Sequence, residues 1–145
     1  MRRIFVYFVL FFQLFCSVFA FDRDEMTNIT VYERINPAIV AIDAAIPQGT
    51  SSGTGCIIDS KGTILTSSHV IANSDDITVT ISNGETYKAE VVRLSGMNSD
   101  LALLKINTHK PLKTIIIGNS KNIKVGQKVL AIGNPFGFSV TLTQG

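Results

Sequence analysis

The chain has 145 residues, of which 46% are hydrophobic and 17% are charged, and its mean hydropathy is +0.30. This composition excludes a disordered or collagen-like polymer and favours one ordinary domain. Thirteen basic side chains stand against eleven acidic ones, and Lys and Arg occur in no run longer than an isolated pair. The charge pattern therefore argues against a nucleic-acid binder.

The first twenty residues are predicted to be a secretory signal peptide. Arg2 and Arg3 precede a long apolar stretch, and Val18 and Ala20 are short enough for a signal peptidase that cleaves before Phe21. We therefore expect an exported protein, periplasmic or otherwise outside the cytoplasm, with eleven basic and eleven acidic side chains once the leader is removed. The alternative is an uncleaved membrane tether, because the stretch from Ile4 to Phe21, although it contains Gln13 and Ser17, is just long enough to span a bilayer of about 30 Å.

A polar segment at residues 21–36 follows, and we expect a surface arm or a short helix there. From Pro37 onward, short apolar runs alternate with Gly, Asn, Ser and Asp in the order AIVAIDA, GTGCIID, GTILTSS, DITVTIS, TYKAEVV, LALLKI, KTIIIG and KVLAIG. This spacing is typical of a β-barrel or sandwich. No useful helical periodicity follows the leader beyond one turn at residues 69–73, so the fold is predicted to be all-β.

The turns are predicted from local signals. Asn83-Gly84 follows an alternating strand and indicates a β-hairpin with a type I′ turn. A second turn is expected at residues 59–62, and Gly53-Thr54-Gly55 is interpreted as a turn or bulge. The apolar face of the return strand after the hairpin is expected to contain Tyr87, Ala89 and Val91.

Two residues are candidates for chemistry. His69 follows a strand directly, where a base would be held rigidly and face outward, whereas His109 lies in a polar connector and is expected to be a solvated loop residue. Asp100 stands before an apolar strand, so we expect it to be partly buried and to need a hydrogen-bond donor such as an imidazole. The alternatives are purely structural roles, in which His69 fills a core gap or caps its turn and Asp100 caps a turn.

Neither a metal nor a cofactor is expected. His69, His109, Cys56 and Asp100 lie in unrelated segments, and no HExxH or CxxC spacing occurs. Removal of the leader takes Cys16 away and leaves Cys56 alone in a strand, where it is expected to act as a small buried hydrophobe without a catalytic role.

Several motifs in one order resemble a known family. They are GTGCII at 53–58, TSSHV at 66–70, DLALLK at 100–105, IGNS at 117–120 and VGQKVLAIGNPFG at 125–137. Together they are similar to the N-terminal part of a trypsin-like serine protease of the HtrA (Deg) type, over residues 35–145. The resemblance implies a Ser-His-Asp mechanism on a chymotrypsin-like double β-barrel, with His69 as the general base and Asp100 as its orienting partner.

The resemblance also implies partners and a location. Proteases of this type act in exported protein quality control on unfolded or misfolded polypeptides, form homo-oligomers that are typically trimers, and usually carry a PDZ module. They need no cofactor.

The nucleophile of the family is not found. It lies in a Gly-Asn-Ser-Gly-Gly segment, and the 145 residues contain none. Ser120 is rejected, because Lys121 and Asn122 follow it where two glycines are needed and because the surrounding residues match a connecting loop of the family. We therefore expect residues 37–145 to be an incomplete protease domain, with the second barrel largely missing, that is inactive alone. The alternative is a non-catalytic β-barrel module that binds peptides or a partner.

Overall fold

The structure is a computed structural model that describes residues 22–96, 99–134 and 140–145. The predicted signal peptide, including the segment considered as a tether, lies outside the described residues, and so do residues 135–137 at the end of the long family motif. Within the described ranges, none of the helices has both the length and the apolar character needed to cross a membrane.

Six antiparallel strands form a closed barrel. The strands are β1 (Ile39–Ile46), β2 (Gly49–Asp59), β3 (Thr63–Thr66), β4 (Ile77–Thr80), β5 (Thr86–Leu94) and β6 (Ala102–Ile106). Their order around the barrel is β1-β2-β3-β6-β5-β4. The predicted all-β class is confirmed.

The side chains of every second strand residue point inward and fill the barrel. In β3, β4 and β6, buried positions alternate with partly exposed ones. The largest fully buried side chains are Ile42, Ile57, Ile64, Ile77, Leu104, Ile106, Val40 and Val79. Each stabilises the fold by about 1.5–3 kcal/mol relative to an exposed position.

The β4–β5 hairpin forms where predicted but with a different turn. Gly84 N–H donates to the Ile81 carbonyl at 2.9 Å, Ile81 N–H donates to the Glu85 carbonyl at 3.0 Å, and Gly84 alone in the loop has a positive φ, 87°. The type I′ assignment was wrong, because a three-residue loop with glycine at its left-handed position closes the hairpin. The Asn83 side chain instead accepts a hydrogen bond from the Glu85 N–H at 2.9 Å, which explains an asparagine there.

The predicted turn at residues 59–62 is confirmed, with Gly62 N–H donating to the Asp59 carbonyl at 3.0 Å. Gly53 and Gly55, in contrast, lie inside β2 and form neither a turn nor a bulge. A Cβ at Gly53 would lie 2.5 Å from Val70 Cγ2, and one at Gly55 would lie 2.7 Å from Ile64 Cγ2. These glycines therefore allow close packing.

The return strand departs from its predicted face at one position. Tyr87 is half-buried and Ala89 is buried, but Val91 is 44% exposed. The pairing of β5 with β4 ends at Ala89, and its register with β6 shifts between Val91 and Arg93, so Val91 lies beyond the inward-facing part of the strand.

Residues 21–36 contain a helix, α1 (Arg23–Ile35). Of the two structures expected for this segment, a surface arm or a short helix, the helix is confirmed. The expectation that no useful helix follows the leader was wrong. No α1 residue is buried, and for that reason apolar periodicity did not reveal it. Its sequence signal is the N-terminal capping box, in which Asp22 N–H donates to Glu25 Oε2 at 3.1 Å.

A second, two-stranded sheet lies next to α1. It consists of β7 (Leu130–Gly133) and β8 (Thr141–Gln144). Asn28 of α1 bonds to Gln144 at 3.0 Å, and Lys128 bonds to Asp24 of α1 at 2.6 Å. Asn134 N–H donates to Thr54 Oγ1 at 2.7 Å, which joins the end of β7 to the barrel.

The apolar run KTIIIG at residues 113–118 forms no strand. It is joined to the barrel by a backbone bond from Ile115 N–H to the Ile57 carbonyl at 2.9 Å. Because β2 already pairs with β1 and β3, little of its edge is free for a further strand.

Candidate active site

The barrel register brings together the segments that carry His69 and Asp100, which are 31 residues apart in the sequence. Strands β3 and β6 are antiparallel neighbours, and Thr66 at the end of β3 pairs with Ala102 at the start of β6. The chain therefore leaves β3 and enters β6 at the same end of the barrel. His69 lies just after β3 and Asp100 just before β6.

Buried neighbours fix the segment that carries His69. It forms a short 3₁₀ helix, Ser68–Ile71, in which Val70 and Ile71 are only 6% and 4% exposed. Val70 packs against β2 at Gly53, where a side chain would collide with it. The same turn leaves the His69 side chain 72% exposed, so the imidazole faces outward on an anchored support.

Ser95 makes hydrogen bonds to residues on both sides of Asp100. Ser95 N–H donates to the Leu101 carbonyl at 2.8 Å, and Leu101 N–H donates to Ser95 Oγ at 3.0 Å. Ser95 Oγ also donates to the Ser99 carbonyl. Both sides of Asp100 are thereby tied to the end of β5.

The two candidate side chains are in direct contact. His69 Nδ1 lies 2.5 Å from Asp100 Oδ2. The other carboxylate oxygen, Oδ1, accepts from Ser68 Oγ at 2.6 Å and from the His69 backbone N–H at 2.9 Å. The structure thus brings together His69 and Asp100 and adds Ser68 to them.

These hydrogen bonds favour the ionised form of Asp100. The bond from Ser68 Oγ, followed by those from the His69 backbone and ring, holds the pKa of the Asp100 carboxyl far below its ordinary value of 3.8. The expectation of a partly buried carboxylate was wrong, because the Asp100 side chain is 52% exposed. Its charge is stabilised by hydrogen-bond donors on an outer loop rather than by a place in the core.

The ionised carboxylate in turn determines which nitrogen of the His69 ring carries the proton. A carboxylate only accepts hydrogen bonds, so His69 Nδ1 must carry the proton in the 2.5 Å contact. A neutral ring with its proton on Nδ1 has an unprotonated Nε2. The pair can therefore take up a proton at Nε2, and Asp100 stabilises the imidazolium that results.

An open cleft of about 640 Å³ lies beside His69. Its walls include Ile71, Asp75, Val91 and Leu94. The exposed end of β5 thus faces the cleft with apolar side chains, and the imidazole forms part of the wall.

The other candidates lie apart from this pair. His109 is exposed in the connector after β6, and Ser120 begins a 3₁₀ helix, Ser120–Asn122, in which Asn119 Oδ1 accepts from the Lys121 N–H. Cys56 is half-buried in β2, and burial raises the pKa of its thiol. Across residues 22–96, 99–134 and 140–145, no group of three His, Cys, Asp or Glu side chains is suited to hold a metal ion.

The sequence analysis missed two residues that make hydrogen bonds around this pair. Ser68 and Ser95 are both in the neighbourhood of the pair, but serine is common in turns and carries no distinctive signal. Asn98-Ser99 next to Asp100 suggested only a turn cap. The position of Ser68 directly before His69 is the one clue that could have been used.

A closed six-stranded antiparallel barrel, with a His–Asp contact on the loops after β3 and before β6, defines a trypsin-like peptidase barrel. The family model for the trypsin-like peptidase domain matches residues 53–145. The chain belongs to the trypsin-like peptidases, and within them to the HtrA/Deg family.

The chain is similar in sequence to proteases from a plant and from bacteria. Protease Do-like 1 of the Arabidopsis thaliana chloroplast is 38% identical over 138 residues, which is 86% of this chain and 31% of the relative. A probable periplasmic serine endoprotease, DegP-like, from Pseudomonas fulva is 44% identical over 98 residues, which is 68% of this chain and 20% of the relative. The chain thus spans about a fifth to a third of the length of these relatives.

Solved structures agree. The crystal structure of Deg5 superposes with a TM-score of 0.77 at 32% identity, covering 86% of this chain and 64% of that one. The serine endoprotease from Yersinia pestis superposes with a TM-score of 0.72 at 36% identity, covering 81% of this chain and 43% of that one. An HtrA-type protease, AlgW, solved with a tripeptide has a TM-score of 0.75 at 36% identity and covers 81% of this chain and 38% of that one.

Proposed function

We propose that this chain supplies the general base, His69, and the orienting carboxylate, Asp100, of an HtrA/Deg-type serine endopeptidase that cleaves polypeptides. The observation that carries the proposal is the 2.5 Å contact from His69 Nδ1 to Asp100 Oδ2, made by a carboxylate whose ionised form three hydrogen bonds stabilise. Family membership alone supports common ancestry, whereas this contact supports the role of His69 as a base.

The proposed chemistry follows from the pair. A serine hydroxyl is a weak nucleophile at neutral pH, so a base must take its proton as it attacks the carbonyl carbon. His69 Nε2 takes that proton and then gives it to the leaving amine. Asp100 holds the Nδ1 proton and stabilises the imidazolium between the two transfers.

The nucleophile comes from outside these 145 residues in this proposal. No Gly-Asn-Ser-Gly-Gly segment occurs in them, and Ser120 belongs to a short 3₁₀ helix whose Lys121 and Asn122 replace the glycines of an oxyanion loop. Residues 1–145 on their own should therefore hydrolyse no casein and react with no serine-directed fluorophosphonate probe.

The location and organisation are proposed on the same basis. Residues 1–20 would be a signal peptide, 21–36 the segment containing α1, and 37–145 part of the protease domain. A relative named as a periplasmic endoprotease supports export of this chain. Mass spectrometry of the mature N-terminus separates cleavage after Ala20 from retention of the leader as a tether.

The test restores the nucleophile. Residues 1–145 are joined to the residues that follow the matched region in the Pseudomonas fulva relative, and the fused chain is treated with a fluorophosphonate probe and with casein. We expect labelling and hydrolysis in the fused chain, kcat about 10⁶-fold lower in His69→Ala and about 10⁴-fold lower in Asp100→Asn.

His109→Ala is the matched control, because it removes an imidazole from the exposed connector. It should leave labelling and kcat unchanged. Labelling of the fused chain that persists in His69→Ala, or labelling of residues 1–145 alone, would contradict the proposal.

A second function is favoured by one observation. The barrel closes within residues 39–106 and contains its own buried core, so it does not depend on a second barrel for closure. A non-catalytic module that binds peptides or a partner is the alternative. A folded, monodisperse chain that binds peptides, together with an inactive fused chain, would favour it.

A further inference from the structure

We propose that Ser68 is a positioning residue of this site, whose hydroxyl fixes the Asp100 carboxylate so that Oδ2 meets the His69 ring. The inference rests on the proposed function of the His69–Asp100 pair. It adds a residue that acts through Asp100 and not through the substrate.

The hydrogen bonds distinguish the two oxygens of the carboxylate. Oδ1 accepts from Ser68 Oγ at 2.6 Å and from the His69 N–H at 2.9 Å, whereas Oδ2 accepts from His69 Nδ1 at 2.5 Å. Rotation of the carboxylate about its Cβ–Cγ bond would break all three bonds together. With Ser68 removed, the His69 backbone N–H alone would hold Oδ1.

All three donors come from two adjacent residues of one rigid turn. Ser68 and His69 begin the 3₁₀ helix that Val70 and Ile71 anchor in the barrel core. The segment that presents the base therefore also holds the carboxylate that orients it. Asp100 is bonded to this one turn at both of its carboxylate oxygens.

The exposure of Asp100 gives the Ser68 hydrogen bond its role. The Asp100 side chain is 52% exposed, so water competes for each of its oxygens. Hydrogen bonds to a charged acceptor are stronger than neutral ones, and a neighbouring hydroxyl supplies such a bond without adding a charge. The Ser68 bond is also the largest of the causes that lower the pKa of Asp100.

The preceding residue provides an internal comparison. Ser67 carries the same hydroxyl one position earlier, where it precedes the 3₁₀ helix, but its side chain caps no backbone group. A Ser67→Ala variant therefore removes the same atoms from the same turn without touching Asp100. Any general effect of losing a serine hydroxyl in this turn would be seen in both variants.

The first measurement is an NMR titration of the Asp100 side-chain carboxyl in the purified full chain. Ser68→Ala and Ser68→Val should move the Asp100 titration to higher pH than in the wild type, towards the ordinary carboxyl value. Ser67→Ala should leave it unchanged, and Ser68→Thr, which has the shape of valine but keeps the hydroxyl, should restore it. An Asp100 titration that is the same in Ser68→Val and Ser68→Thr would overturn the proposal.

The second measurement separates this inference from the proposed function. In the fused chain, Ser68→Ala should lower kcat about tenfold with less than about a twofold change in KM, and Ser68→Thr should recover most of the loss. A shifted Asp100 titration in a fused chain that shows no His69-dependent labelling would overturn the proposed function alone. An unshifted titration in a chain with His69-dependent labelling would overturn the role of Ser68 alone.

Discussion

Thr66 and Ala102 lie opposite each other in the barrel, as the last pair of β3 and β6. The two strands are separated in the sequence by the whole β4–β5 hairpin, yet they are neighbours in the sheet. This single pairing places the chain that leads to His69 beside the chain that carries Asp100. The contact between the two side chains is therefore a consequence of barrel closure.

The ionised Asp100 should make stability depend on pH. Its folded pKa lies below the ordinary 3.8, so its contribution is fully present above that value and is lost as the pH falls below it. Asp100→Asn should be less stable than the wild type at about pH 7 in denaturant unfolding, and the difference should shrink below about pH 4. Asp75→Asn, in an exposed loop, is the control, and a difference that grows on acidification would oppose this expectation.

Gly53→Ala should disturb the turn that supports His69. A Cβ at this position would lie 2.5 Å from Val70 Cγ2 and 2.7 Å from Val70 Cγ1, so Val70 or β2 must move. We expect a loss of about 1–3 kcal/mol in the free energy of unfolding, measured by urea denaturation. Gly118→Ala is the matched control, because a Cβ there meets nothing within 4 Å. Equal stability of the two variants would show that the close approach at Gly53 is unimportant.

Thr54→Val should loosen the junction between the barrel and β7. Thr54 Oγ1 accepts from the buried Asn134 N–H at 2.7 Å, and valine keeps the shape of threonine while leaving that N–H without its acceptor. The expected cost is about 1–3 kcal/mol in unfolding free energy. Thr86→Val, on an exposed position of β5, should have little effect, and an equally stable Thr54→Val would rule out the link.

Ser95→Ala should loosen the loop that carries Asp100. The variant loses the Oγ atom that accepts from Leu101 N–H at 3.0 Å but keeps the backbone bond to the Leu101 carbonyl. We expect amide exchange at Leu101 to accelerate about fivefold, because this amide loses its acceptor and the bond from Ser95 Oγ to the Ser99 carbonyl is lost as well. Ser74→Ala, in the loop before β4, should leave Leu101 exchange unchanged. Unaltered protection of the Leu101 amide in Ser95→Ala would count against this role of Ser95.

Most of the barrel strands could be predicted from the sequence because their signals are local. Alternating apolar residues marked β4, and Asp59 to Gly62 marked a turn. The pairing of β3 with β6 could not be derived in this way, since it depends on closure of the whole barrel. It was the family resemblance that assigned His69 and Asp100 to one site.

The errors have physical causes. The helix α1 buries no side chain, so it has no apolar periodicity that would reveal it in the sequence. The capping box of Asp22 and Glu25 is its one sequence signal. Gly53 was interpreted from its own backbone freedom, but its role is set by Val70, seventeen residues away. Asp100 was expected to need burial, whereas the donors of Ser68 and His69 stabilise its charge on the surface.

The most direct test is the position of the proton on the His69 ring. ¹⁵N NMR of the imidazoles in the purified chain at about pH 8, where histidine is largely neutral, reports the tautomer of each ring. We predict that His69 carries its proton on Nδ1 with Nε2 free, that Asp100→Asn abolishes this preference, and that His109 in the same sample is unaffected. A wild-type His69 with its proton on Nε2 would contradict the base that the Asp100 contact defines.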